Sequence, residues 1–138
     1  MKKYVAARLA VAFVPVVLVP LFVASGEQAP SLRDFMQLKL NHSQKILEGL
    51  VREDFAALAK HSQELSLLSL DASWQVLQTA EYTQQSLEFR RAADALTAAA
   101  KKKNLDGAAL AYVDVTMKCV NCHKYVRSAR TPTPKSDK

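Results

Sequence analysis

Apolar residues recur every three or four positions in four separate stretches of this chain, and no stretch alternates in the two-residue period of a strand. Each stretch therefore reads as an amphipathic helix whose apolar stripe must be buried against the others. The first runs through Leu32, Phe35/Met36, Leu40, Ser43, Ile46/Leu47 and Leu50, after an N-cap at Ser31 with Asp34 three positions on. Gly49 and Arg52-Glu53-Asp54 mark a tight turn. The second carries Phe55, Leu58, Ser62, Leu65 and Leu68, is expected to end near Leu70 to Ser73, and leads into a loop holding Trp74. The third repeats the spacing through Tyr82, Phe89, Ala92/Ala93, Leu96 and Ala99/Ala100, and Lys101 to Lys103 suit the negative end of its dipole. Asn104 stops it, and Asp106 is expected to cap a fourth helix with Ala109, Tyr112, Val115/Thr116, Cys119, Cys122/His123 and Val126 on one stripe. The 138 residues suffice for one domain. Four helices of about 18 to 25 residues on short connections predict an all-α, antiparallel up-down-up-down four-helix bundle. No repeat of fixed period is visible.

The first 25 residues differ from the rest. Lys2, Lys3 and Arg8 precede a run from 9 to 24 that is apolar apart from Pro15 and Pro20, and Val23-Ala24-Ser25 supplies small residues, the pattern of a signal peptide. The run is short of the roughly 20 residues that span a bilayer, so no stable membrane insertion is expected after processing. The chain thus divides into a signal peptide at 1–25, a helical domain at 26–130 and a disordered tail at 131–138, with a periplasmic or otherwise exported location. The charge of +6 is reduced accordingly: without three of its 19 bases the chain has 16 against 13 acids, an excess of +3. No phosphate loop, aromatic RNA motif or recognition helix accompanies the basic clusters, so nucleic acid is not an expected partner.

Both cysteines fall within Cys119-Val120-Asn121-Cys122-His123. The run C-x-x-C-H is the pattern of covalent haem attachment. On a helix, residues three apart share a face, so two thioethers can hold one porphyrin, and His123 can place an imidazole nitrogen under the iron. Other uses of the motif fit less well. A thioredoxin-like redox pair normally accompanies a βαβ pattern, which is missing. A structural zinc site takes four ligands, and the remaining histidines, His42 and His61, fall on different helices near the edges of their seams.

These residues resemble the attachment site of the class II c-type cytochromes, the cytochrome c-prime family and its low-spin relatives, whose haem motif lies near the end of the last helix of a four-helix bundle. The resemblance covers roughly residues 31 to 130. Val126 stands where the family often has an aromatic residue, with Tyr125 one position early, while Arg127 keeps the family's basic position and could pack near the imidazole or a propionate. The resemblance implies one covalent haem c held by Cys119 and Cys122, with His123 as axial ligand.

Function then depends on the sixth iron position. A side chain there makes a low-spin one-electron carrier; an open position makes a high-spin protein that binds nitric oxide or carbon monoxide. In an antiparallel bundle the start of helix one lies beside the end of helix four, which places Met36 to reach the iron opposite His123. Met117 faces away from the helix-four stripe. The segment Asp34-Phe35-Met36 also resembles the first helix of the non-covalent b-type cytochrome bundle, whose axial methionine lies there. Leu40 or another apolar side chain beside an open iron, with Met36 as a gap-filling core residue, is the competing arrangement. No nucleophile and base pair suggests an enzyme. An unidentified redox protein is the expected partner, met through Lys118, Lys124 and Arg127, and a homodimer is compatible with the fold. On this reading, protein made in a host with cytochrome c maturation machinery carries one haem that survives acidified organic solvent. Intact mass after denaturation should equal the processed chain plus one haem; extractable haem overturns the attachment.

Overall fold

The computed structural model describes residues 31–131, so the expected signal peptide and all of the tail beyond Thr131 lie outside the described residues. Within them the chain forms α1 (Leu32–Val51), α2 (Phe55–Leu68), a short 3-10 turn at Ala72–Trp74, α3 (Ala80–Lys101) and α4 (Leu105–Arg130). The protein is a four-helix bundle, as the spacing predicts.

Each helix begins on a side-chain cap. Ser31 accepts from the amide of Asp34, Asp54 from that of Ala57, Thr79 from that of Tyr82 and Asn104 from that of Gly107. Such caps satisfy amides that the first turn leaves without partners. Asn104, expected to stop the third helix, also starts the fourth. Asp106 is not the cap; it lies in the first turn, where its charge favours the helix dipole.

The two tight corners are the same device, fifty positions apart. Glu53 and Lys103 both adopt φ 54°, the left-handed conformation. At each, the amide of that residue bonds to Leu50 or Ala100, and the next amide, of Asp54 or Asn104, reaches back to Gly49 or Ala99. This pair of bonds is the Schellman ending, made here without the usual glycine. The next residue caps the following helix at once, so the chain reverses within three residues. Gly49, read from the sequence as part of the turn, is instead buried in the last turn of α1. A Cβ there would come within 3.1 Å of Leu58, so the glycine lets α2 approach α1 closely.

Contacts between neighbouring helices run in reverse order of residue number. Gly49 meets Leu58 and His42 meets His61 across α1 and α2. Ser62, Ser66 and Ser69 meet Thr97, Asp94 and Arg90 across α2 and α3. Thr79 meets Tyr125 and Glu88 meets Lys118 across α3 and α4. The α2–α3 seam is lined with buried hydroxyls. Ser62 and Thr97 lie 2.6 Å apart, so one hydroxyl donates across the seam and the other donates to the carbonyl four residues earlier on its own helix, Leu58 or Ala93. A hydroxyl satisfied by its own helix costs little to bury. With Ala92, Ala93 and Ala100 beside them, these small side chains permit close packing.

The core runs from Ile46, Leu58, Leu65 and Leu96 to an aromatic group of Phe35, Trp74, Tyr82 and Phe89. Trp74 is 2% exposed, and its Nε1 donates to Ser86 Oγ at 2.6 Å. Tyr82 Oη donates to the Trp74 carbonyl. The turn between α2 and α3 is thus fastened to the start of α3. On α4 the buried positions are Ala108 and Val115, one residue off the expected Ala109, which faces solvent. Replacing Glu53 or Lys103 by glycine should relieve the left-handed backbone and raise stability by about 0.5–1 kcal/mol each, additively. Urea denaturation of the two single variants and the double variant checks this, and a loss of stability contradicts it.

Candidate functional site

The ends of the described chain meet at one end of the bundle. α1 and α4 are the least intimately packed neighbours, joined along their middle by Ser43 and Tyr112, whose hydroxyls are 3.2 Å apart. Beyond that link, toward the start of α1 and the end of α4, the helices leave a cavity of about 250 Å³. Met36, Cys119, Cys122, His123 and Arg127 all line it, with Trp74, Val76, Tyr82, Phe89 and Val126 as apolar and aromatic walls. A second cavity of about 580 Å³ opens beside it along α1 and α4. The two meet at Met36, Lys39, Phe89, Cys119 and His123.

Helix geometry explains how one short motif reaches this space. Cys119 and Cys122 stand a turn apart on the face of α4 that packs against the core, and both are half-buried. His123 sits at the exposed rim and lines both cavities. Burial pushes both thiols up from their ordinary range, and the nearby Lys39 charge partly opposes that. The cysteines are therefore held as thiols, unlike the low-pKa thiolate of a redox pair. Desolvation, then the charges of Lys39 and Arg127, push His123 down, which favours the neutral imidazole that ligates metals.

Lys39 was missed by sequence reasoning. Its ammonium lies 3.4 Å from the centre of the Trp74 ring, 5.0 Å from that of Phe89 and 3.9 Å from Met36 Sδ. The aromatic faces compensate part of the lost hydration through cation–π attraction. Desolvation still pushes its pKa down to about 8. The signal was present: Lys39 follows Phe35 by four positions and precedes Ile46 by seven, so it falls on the inward stripe. Leu40, read as part of that stripe, is 51% exposed.

The other residues are placed as follows. Met117 is 48% exposed and lines neither cavity. Lys118 is paired with Glu88 at 3.1 Å and lies 3.8 Å from Asp114, so its charge is largely matched, while Lys124 is exposed. His42 and His61 lie apart from this site and face each other across α1 and α2. Among the described residues, no group of three or more His, Cys, Asp or Glu side chains converges as a metal cage. No helix among them is long and apolar enough to cross a membrane.

The donor set fits a porphyrin. Two thiols a turn apart and an imidazole next to the second are the groups that would hold a haem covalently, and a thioether on the facing helix and an aromatic wall lie beside them. Compared with models of protein families, with curated proteins and with solved structures, the chain shows no match.

A half-buried lysine whose ammonium is desolvated has a pH signature in the haem-free chain. Its folded pKa lies below the ordinary 10.5, so at neutral pH both states are protonated and the folded state bears the desolvation cost. Between about pH 8 and 10.5 the unfolded chain holds more protons, and the Lys39 contribution rises with pH. Lys39→Met should therefore stabilise the haem-free chain at pH 7, by at most roughly 3 kcal/mol, with the gap closing by about pH 10.5. Denaturant titrations of parent and variant at both pH values test this. A gap that is the same at both values argues against a desolvated ammonium.

Proposed function

We propose that this protein is an exported monohaem c-type cytochrome of the class II type, a one-electron carrier rather than an enzyme. Cys119 and Cys122 would hold the haem through two thioethers, with His123 and Met36 as axial ligands. The observation that carries the reading is the meeting of Met36, on α1, with the C-x-x-C-H turn of α4 around one apolar cavity. These residues are far apart in sequence, and the fold brings the thioether of Met36 to the same space as the motif.

When bound, the haem supplies the reversible one-electron change. The chain's own part is to keep that change selective. Phe89, Trp74 and Val126 would keep water from a bound ring, and the Met36 thioether would be the group that keeps small molecules from the metal. Arg127, at the mouth of the cavity, is placed for a propionate, and with Lys124 it leaves positive charge for an acidic redox partner. Lys39 would bring a cation against the bound ring, where a propionate or the aromatic faces can compensate it.

A second reading has one observation in its favour: the adjoining 580 Å³ space reaches Met36, Leu40 and Val120 and is roomy enough for a small gas molecule on that side. In that case Met36 fills space, as methionine often does in cores, and the protein is a high-spin binder of nitric oxide or carbon monoxide.

Visible spectra of the parent and of Met36→Ala separate the readings. The carrier is low-spin in both oxidation states and does not react with carbon monoxide when reduced, and the variant turns high-spin and binds it. A parent that is already high-spin moves the function to gas binding. A protein that acquires no haem in a maturation-competent host removes both.

A further inference from the structure

Away from the cavity, on the seam between α1 and α2, two imidazoles face each other. His42 and His61 bring their Nδ1 atoms to 3.0 Å, with ring centres 5.2 Å apart and planes tilted by 52°. Both side chains are half-buried, and neither lines the cavities that hold the cysteines. The α1–α2 hairpin fixes this approach from one side through the Gly49–Leu58 contact and the Schellman corner.

The separation has a chemical meaning beyond a hydrogen bond. Metal-to-imidazole bonds are about 2.0–2.1 Å long, so two of them at a right angle put their nitrogens about 3 Å apart. The pair already stands at the nitrogen spacing of neighbouring ligands on one ion, while ring centres 5.2 Å apart set the two Nδ1 atoms head-on, so both side chains turn about their own bonds to aim at a shared ion. In the metal-free pair one Nδ1 carries the shared proton and the other accepts it. Moving that proton to Nε2 of the same ring frees both Nδ1 lone pairs without changing the charge of either side chain.

We propose that His42 and His61 form a two-imidazole site for a divalent copper ion, which clamps α1 to α2. Imidazole nitrogen suits copper, nickel and zinc, and among divalent ions of the first row copper binds such ligands most tightly. The protein supplies two ligands and water completes the shell, so the ion is exchangeable rather than structural. Both rings must be neutral to bind. His61 is biased that way, first by burial and then by the neighbouring His42. The surrounding charges are mixed: Lys60 and Lys45 oppose a cation and Glu64 favours it. The site is independent of the haem assignment.

The test is a titration of the full chain with copper(II) chloride near pH 7.5, any free thiols first alkylated, against a variant carrying both His42→Asn and His61→Asn. The parent should show an electron paramagnetic resonance signal with hyperfine structure from two imidazole nitrogens. At a hundredfold excess over the dissociation constant its Tm should rise by about 10 °C. The variant should bind copper at least tenfold more weakly. Lys45→Ala, which removes one opposing charge, should bind it more tightly than the parent. Equal affinity in parent and double variant, copper retained at His123 only, or a signal lacking two imidazole nitrogens overturns the site. If the double variant does not fold, the nitrogen count in the parent decides alone.

Discussion

Reversal of the chain within three residues, once at Glu53 and once at Lys103, is the constraint on which the arrangement rests. A connection that short admits only an antiparallel neighbour, so α1 must run against α2 and α3 against α4. The longer turn through Trp74 then carries α2 to α3, and the buried Ser62–Thr97 and part-buried Ser66–Asp94 hydrogen bonds set how those two helices register. With three seams fixed in this way, the first and last helices are left as neighbours. They are closed by little more than the Ser43–Tyr112 link, and it is between them that the bundle stays open.

The open end concentrates the chain's unusual chemistry. Cys119, Cys122 and His123 come from one turn of α4, Met36 and Lys39 from the start of α1, and the aromatic wall from the Trp74 turn and α3. An ammonium over Trp74, against the aromatic wall of the pocket, is an expensive feature for a core to keep. Its cost is understandable if the pocket is meant for a ligand that carries negative groups and accepts contact with a cation, as a haem with its propionates does. The stability of the bundle does not require Lys39, because the other three seams already bury Ile46, Leu58, Leu65 and Leu96.

Individual residues show where the sequence was readable. Helix number, the Ser31 cap and the inward positions of Phe35, Leu58, Leu65, Phe89 and Leu96 follow from spacing and capping chemistry, which are local. Errors arose where polarity and position disagree. Leu40 looked buried because it is apolar, and Lys39 was passed over because it is charged, yet helical phase puts Lys39 inside and Leu40 outside. Asp106 looked like a cap because it is an aspartate, but Asn104 already stands where the preceding Schellman ending delivers the chain. Gly49 looked like a turn residue, and its reason for being glycine is a leucine on another helix. Ser62 falls on the inward stripe by spacing, whereas Ser66 and Ser69 gave no sign in sequence that their hydroxyls would be satisfied and buried.

What the sequence alone determined is therefore the set of parts: four amphipathic helices, their caps, and a C-x-x-C-H turn whose residues are close because a helix brings positions three and four apart onto one face. What only the tertiary structure decided is which distant residues share a space. Met36 meets the motif, Lys39 lies over Trp74, and His42 comes within 3.0 Å of His61 because seams between helices are set by packing over their whole length. No periodicity within one segment carries that information, since helix phase fixes only the face a side chain points to, and its neighbours across the seam depend on crossing, register and the size of every residue between them.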